Sequence, residues 1–155
     1  MAAIFNDDFR EFIQSLNDNQ VEYLLVGGYA VILHGYRRVT GDMDIWVNRT
    51  KENYSKLTKA FSQFGLSVFD MTEENFLESE SADVFSFGRP PVSIDILTRL
   101  KGVEFDDAFL HSLLFDENGL IVRFIHLNNL IEAKKASGRY KDLDDIEKLS
   151  PGRDP

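Results

Sequence analysis

The sequence predicts a mixed α/β protein of the α+β kind, a mixed β-sheet with helices packed against it. Three observations carry that expectation. Short apolar runs bounded by Gly, Pro or Asn read as strands: VEYLLV before Gly27–Gly28, MDIWV before Asn48, and VSIDIL after Pro90–Pro91. Between and after them, apolar residues recur at helical spacing. The order α-β-α-β-α, then strands, then helices, calls for helices laid on one mixed sheet.

The elements follow in order. Phe5, Phe9, Phe12, Ile13 and Leu16 give an amphipathic first helix. Residues 21–26 read as a buried strand and 29–35 as a short buried helix. Residues 43–47 are a second strand. Thr50 is placed to cap a helix carrying Tyr54, Leu57, Phe61 and Phe64, which Gly65 would stop. Residues 66–69 and 84–87 are weaker strand candidates, while 92–97 and 120–125 are clearer ones. Two helices, about 127–137 and 143–149, close the chain. Residues 1–150 are expected to form a single domain, with 151–155 a loose tail.

Composition bounds the function. The chain has 155 residues, enough for a core without staples, with ordinary hydrophobic (43%) and charged (28%) fractions. There is no cysteine, so neither disulfide nor thiolate chemistry applies. The start shows no signal-peptide pattern, and no apolar run is long enough to span a bilayer. A cytoplasmic location without membrane contact is the expectation. A net charge of −9 argues against broad binding to nucleic acid. The basic residues instead cluster at Arg37–Arg38 and at Lys134, Lys135, Arg139 and Lys141. Two small basic clusters on an acidic protein suit a phosphate-bearing small molecule or one short RNA segment.

Asp is a poor strand residue and costly to bury, yet Asp42 and Asp44 bracket Met43 at the start of a strand. Alternation turns both carboxylates to one face and Met43, Ile45 and Val47 to the other. In VSIDIL the same alternation sets Asp95 opposite Ile94 and Ile96. If the two strands are neighbours, three carboxylates share one patch, and their repulsion calls for a cation. Hard oxygen donors suit Mg2+, which takes one or two carboxylates together with substrate phosphates. Two such ions can clamp both oxygens of an in-line phosphoryl displacement. The alternative is a solvated strand face with no metal.

Gly27–Gly28 lies between an apparent strand and an apparent helix, where glycine allows a close ligand and free N–H groups favour an anion. The spelling fits neither the dinucleotide fingerprint nor the P-loop. The full series is an apolar strand, Gly-Gly, a short helix, a spacer from 29 to 41, Asp-x-Asp, and a later strand with one Asp. This series resembles the nucleotidyltransferase superfamily typified by DNA polymerase β, and so implies the nucleotidyltransferase fold. The resemblance implies that Gly27 and Gly28 hold a triphosphate and that Asp42, Asp44 and Asp95 bind two Mg2+ ions. That family often has Ser or Thr after the glycines, where this chain has Tyr29.

The segment Arg139-Tyr140-Lys141-Asp142-Leu143-Asp144-Asp145 has the form R-x-K-D-x-x-D. It is similar to the last motif of AbiEii/AbiGii-type nucleotidyltransferase toxins, as is GYRRVTGDMDI through the Asp pair. The resemblance implies transfer of a nucleotide, such as that of ATP, to a tRNA, protein or small-molecule acceptor in a toxin–antitoxin or phage-defence setting. A cognate antitoxin or toxin protein would be a partner. Expected nucleotide contacts are Gly27, Gly28, Tyr29, Arg37, Arg38, Thr40, Arg139 and Lys141. The alternative is a non-catalytic binding module or antitoxin subunit of the same fold.

Periodicity bears on Lys134 separately. Leu127, Leu130 and Ile131 set an apolar stripe, and position 134 falls on it. An inward lysine needs a partner: the leaving phosphates and the acidic trio in the catalytic reading, or one structural Asp. Asp142 is expected to cap its helix, with Asp145 left open. His34 reads as a packing residue, and Glu73–Glu74 and Asp106–Asp107 as solvated charge.

Overall fold

The computed structural model describes residues 4–36, 38–78, 83–89 and 92–149. The expected tail, Arg37 and the Lys141 side chain lie outside the described residues. In chain order the elements are α1 (Asp7–Asp18), β1 (Tyr23–Val26), α2 (Gly27–Leu33), β2 (Asp42–Val47), α3 (Lys51–Phe64), α4 (Glu73–Glu78), β3 (Val84–Arg89), β4 (Val92–Leu97), α5 (Phe105–Leu110), β5 (Leu113–Glu117), β6 (Leu120–Phe124), α6 (Leu127–Ser137) and α7 (Tyr140–Leu149). The fold class is the expected one, a mixed sheet with helices on both faces.

The strands form one sheet in the order β3-β4-β2-β1-β6-β5. β2 lies antiparallel to β1 and parallel to β4, and β1 runs parallel to β6. The outer pairs β3–β4 and β5–β6 are antiparallel. Alternation divides the core. Met43, Ile45, Val47, Ile94 and Ile96 meet Phe9, Phe12 and Ile13 of α1, Leu57 and Phe61 of α3, and Phe76 of α4. The other face sends Leu24, Val26 and Trp46 against Ala108 of α5, Leu130 and Ile131 of α6, and Leu149 of α7. The carboxylates of β2 belong to this second face.

Local signals explain the helix ends. The Asn6 side chain accepts from Phe9 N at 2.8 Å and caps α1. Thr50 accepts from Asn53 N at 3.1 Å, as its sequence position predicts, and Gly65 closes α3. The His126 side chain caps α6 through Asn128 N.

Several boundaries differ from expectation. Residues 66–69 form no strand: Leu66 and Val68 pack on the core without a ladder partner among the described residues, and Phe69 turns outward at φ 46°. α4, α5 and β5 are additional elements. β5 has an exposed, non-alternating pattern, with Leu113 40% and Leu114 59% exposed, so periodicity does not reveal it. Glu73–Glu74 and Asp106–Asp107 are solvated, each pair in the first turn of its helix. α2 begins at Gly27 rather than Tyr29, and α7 at Tyr140 rather than Leu143. His34 packs on Phe124 and donates from Nε2 to the Ile125 carbonyl at 2.8 Å.

Candidate active site

Register sets the carboxylates. In the parallel β2–β4 ladder Asp44 stands opposite Asp95, and Asp42 opposite Ser93. Partners in a ladder share a face, so Asp42, Asp44 and Asp95 stand on one side of the sheet. The Ser93 hydroxyl donates to Asp42 Oδ1.

On the other flank of β2, Val26 is the partner of Asp44, so β1 ends beside that carboxylate. The chain then turns at Gly27, with φ +68°. A Cβ built there would lie 2.1 Å from Asp44 Oδ2. Glycine is therefore required twice, for the backbone angle and for the space Asp44 fills. Gly28 is similarly close to Thr40, whose Oγ1 would be 2.7 Å from an added Cβ. Thr40 Oγ1 donates to the Asp42 carbonyl at 3.3 Å.

Gly27 and Asp44 line a cleft of ≈ 420 Å³ whose opposite wall includes Lys134, Arg139 and Asp142. Asp42 and Asp95 share the strand face but lie outside this wall. Lys134 is 6% exposed, on the inward stripe of α6 as its spacing predicts. Its ion pairs are with α7 and not with the acidic trio: Asp142 Oδ1 at 3.4 Å and Asp145 Oδ2 at 2.9 Å. Arg139 clasps Asp142 through Nε (2.6 Å) and Nη2 (3.2 Å). Arg38 bonds to Asp145 Oδ2. Three cations and two carboxylates thus form one network between α6, α7 and the segment before β2.

The network sets the charge states. Burial works to raise the Asp142 carboxyl, but hydrogen bonds from Arg139 and Ser137 and the charge of Lys134 outweigh it and hold it at about 2. Arg139 is pushed above its ordinary value, first by its bond to Asp142, with Asp44 and Asp145 adding attraction.

Two expectations need correction. Asp142 is an ion-pair partner, 0% exposed beneath Arg139 and Lys134, rather than a cap exposed at a helix start. The Tyr29 side chain does not face the cleft. It lies in the core against Phe5 and Phe9, with ring centroids at 5.2 and 5.7 Å, because the larger aromatic cluster on that face takes it up. Asp145 is the residue that sequence reasoning left open. The signal is present: positions 142, 145, 146 and 149 are a helical stripe, and the structure buries or half-buries all four. Two acids inside such a stripe mark charge facing inward.

Among the described residues, no group of three His, Cys, Asp or Glu side chains is placed to hold a metal ion. The donor set that does exist is Asp44 beside Asp95, hard oxygens on adjacent strands. It fits Mg2+ in the form that needs only one or two carboxylates, with phosphates and water completing the shell. No helix among the described residues is long and apolar enough to cross a membrane.

No protein-family model and no curated protein matches the chain. Solved structures do match it. A putative nucleotidyltransferase from Thermotoga maritima aligns with a TM-score of 0.61 at 16% identity, over 94% of this chain and 91% of that one. An antigenic nucleotidyltransferase-like protein from Paracoccidioides brasiliensis aligns with a TM-score of 0.54 at 15% identity, over 99% and 80%. At such identity the likeness is one of architecture: this chain has the fold of nucleotidyltransferase-like structures.

Proposed function

We propose that this chain is a Mg2+-dependent nucleotidyltransferase, acting on a nucleoside triphosphate and a tRNA, protein or small-molecule acceptor. Its sequence likeness to AbiEii/AbiGii-type toxins suggests a role in a toxin–antitoxin or phage-defence system. The observation that supports it most is the pairing of Asp44 with Asp95 on the sheet, with Asp44 seated against the Gly27 turn and facing Lys134 and Arg139.

In this reading an acceptor hydroxyl oxygen bonds to the α-phosphorus, and the bond from that phosphorus to the β-phosphate oxygen breaks. Pyrophosphate leaves, and Asp95 accepts the hydroxyl proton. Asp44 and Asp95 would hold Mg2+, which when bound would neutralise phosphate charge, while Asp42, on the same face, accepts from the Ser93 hydroxyl. The residues of the chain supply position and charge. The Gly27–Gly28 turn brings backbone N–H groups to the phosphates. Lys134 and Arg139 balance the leaving pyrophosphate, while Asp142 and Asp145 hold both cations ready until phosphate arrives.

The same network favours a second reading. Cations already neutralised by α7 suit a non-catalytic module that works through a protein partner. One experiment separates the two. Each triphosphate is added with Mg2+, melting is followed, and transfer from a labelled triphosphate to total RNA and protein is measured. The catalytic reading expects a melting shift, equivalent to about 2.7 kcal/mol at a hundredfold excess over Kd. Asp44→Asn should abolish it while the chain stays folded. No shift and no transfer with any of the four triphosphates would leave the binding module.

A further inference from the structure

A second cleft of ≈ 670 Å³ adjoins the Asp44 cleft and shares Arg99, Leu100 and Lys101 with it. Trp46 lies in its wall, two residues beyond Asp44 on β2 and therefore on the same face, about 6.6 Å further along the strand. Trp46 is 2% exposed and meets Phe105 edge to face, at 5.0 Å between ring centroids. Among the described residues its Nε1 has no hydrogen-bond partner, and neither does Oγ1 of Thr98, which is 5% exposed and lines the same cleft. Unpaired buried polar atoms are rare because they are costly, and each calls for an explanation. An indole N–H can only donate, so what completes it is an acceptor.

The charge around the cleft points the same way. Three cations, Arg49, Arg99 and Lys101, line it against two carboxylates, Glu104 and Asp106. Arg99 also pairs with Asp83 at 3.7 Å and Arg49 donates from Nε to the Phe76 carbonyl at 2.9 Å, ties that an arriving phosphate would exchange. The backbone that carries Arg99 and Lys101 is held in place, while both side chains are exposed. Lys101 lies within, and Arg99 just before, a turn closed by Val103 N donating to the Leu100 carbonyl at 3.2 Å. Gly102 in that turn has φ +85°, and a Cβ there would lie 2.7 Å from Cβ of Ala136 on α6. The turn is thus seated on the helix that carries Lys134.

We infer that this cleft is the acceptor site for the transfer proposed above, and that it takes a phosphate-bearing acceptor, a nucleotide or an RNA end. The inference rests on the nucleotidyl-transfer reading, since it assigns the attacking hydroxyl to a ligand lying along the same strand face. Acceptor phosphate lies against Arg99 and Lys101, and Thr98 and Trp46 donate to it after a small opening of the wall, because both donor atoms are sealed from solvent in the free chain. Its hydroxyl then reaches the α-phosphorus above Asp44 and Asp95, where the new P–O bond forms as pyrophosphate leaves.

Trp46 is the only tryptophan in the chain, so its fluorescence reports this cleft directly. The full chain is titrated with a 5′-phosphorylated hexaribonucleotide, a 5′-mononucleotide, inorganic phosphate and the phosphate-free nucleoside. The phosphorylated ligands should change Trp46 fluorescence saturably, and the nucleoside should not. Arg99→Gln should weaken binding about tenfold and lower the salt slope by about one counterion. Thr98→Val should weaken binding while the melting temperature holds or rises, because an unpaired hydroxyl is gone. Affinity that grows from mononucleotide to hexanucleotide would assign the cleft to RNA, and equal affinity to a nucleotide. Three results would overturn the inference: no saturable change, an equal response to the nucleoside, or a Thr98→Val protein that binds as before. The triphosphate melting shift is read in parallel. A shift without a Trp46 response sinks the acceptor cleft and leaves the transfer reading. A Trp46 response without a shift sinks the transfer reading and the acceptor role with it.

Discussion

Replacing Lys134 by Met tests whether the buried network holds the C-terminal helices together. Lys134 bridges Asp142 and Asp145, all three nearly inaccessible to solvent. Removing one partner of a buried ion pair typically costs about 3–5 kcal/mol, because a charge is left uncompensated. Here the loss should be smaller. Asp142 keeps the two bonds from Arg139, and Asp145 keeps Arg38. The Met side chain also refills most of the lysine stem. A loss of about 2 kcal/mol is expected, which for a domain of this size lowers the melting temperature by roughly 4–8 °C. Urea melts of the full chain give the number, with an unchanged slope as the sign that both states are otherwise alike. The double variant Lys134→Met/Asp145→Asn should lose less than the sum of the two single losses. A Lys134→Met chain as stable as the parent, or more stable, would refute the reasoning. The buried ammonium would then cost more than its bridges to Asp142 and Asp145 return.

Two further predictions follow from the same site. Gly27→Ala should lose on the order of 1–3 kcal/mol in urea melts, from positive φ and displacement of Asp44, and should lose the triphosphate-dependent melting shift as well; an unchanged melt would contradict the close approach at Gly27. The Asp142 carboxyl titrates at about 2 in the fold against an ordinary 3.8, so its contribution is complete above about pH 4 and is lost as pH falls through about 2. That contribution is on the order of 2 kcal/mol, and Arg139→Gln should move this acid limb to higher pH in pH-dependent melts.

Alternation made much of the sheet legible. It placed Asp42 and Asp44 on the face opposite Met43, Ile45 and Val47, and Asp95 opposite Ile94 and Ile96. It could not show that β4 pairs with β2, because partner choice is a tertiary matter. Lys134 was legible as inward for the same reason, through the stripe begun by Leu127, Leu130 and Ile131. Its partners were not, because Asp142 and Asp145 also suit a solvated first turn, and only the docking of α7 on α6 decides between the two. Tyr29 was misplaced because position after a glycine turn says little about which face of a short helix meets an aromatic core. The Trp46 cleft left no trace in the sequence. Its walls come from a strand, a turn and a helix start that converge only in the folded chain.

The parallel pairing of β2 with β4 has a kinetic consequence. Asp44 and Asp95 become neighbours only after α3, α4 and β3 have been laid down, with roughly fifty residues of chain between them. Such distant pairing is slow, because the entropy of closing the loop is lost before any contact compensates it. The β1–β2 pair is much nearer in sequence and can form first, seating Asp44 beside Gly27 while Asp95 is still far away. The two carboxylates therefore meet late, and a half-folded chain carries every residue of the site without having the site.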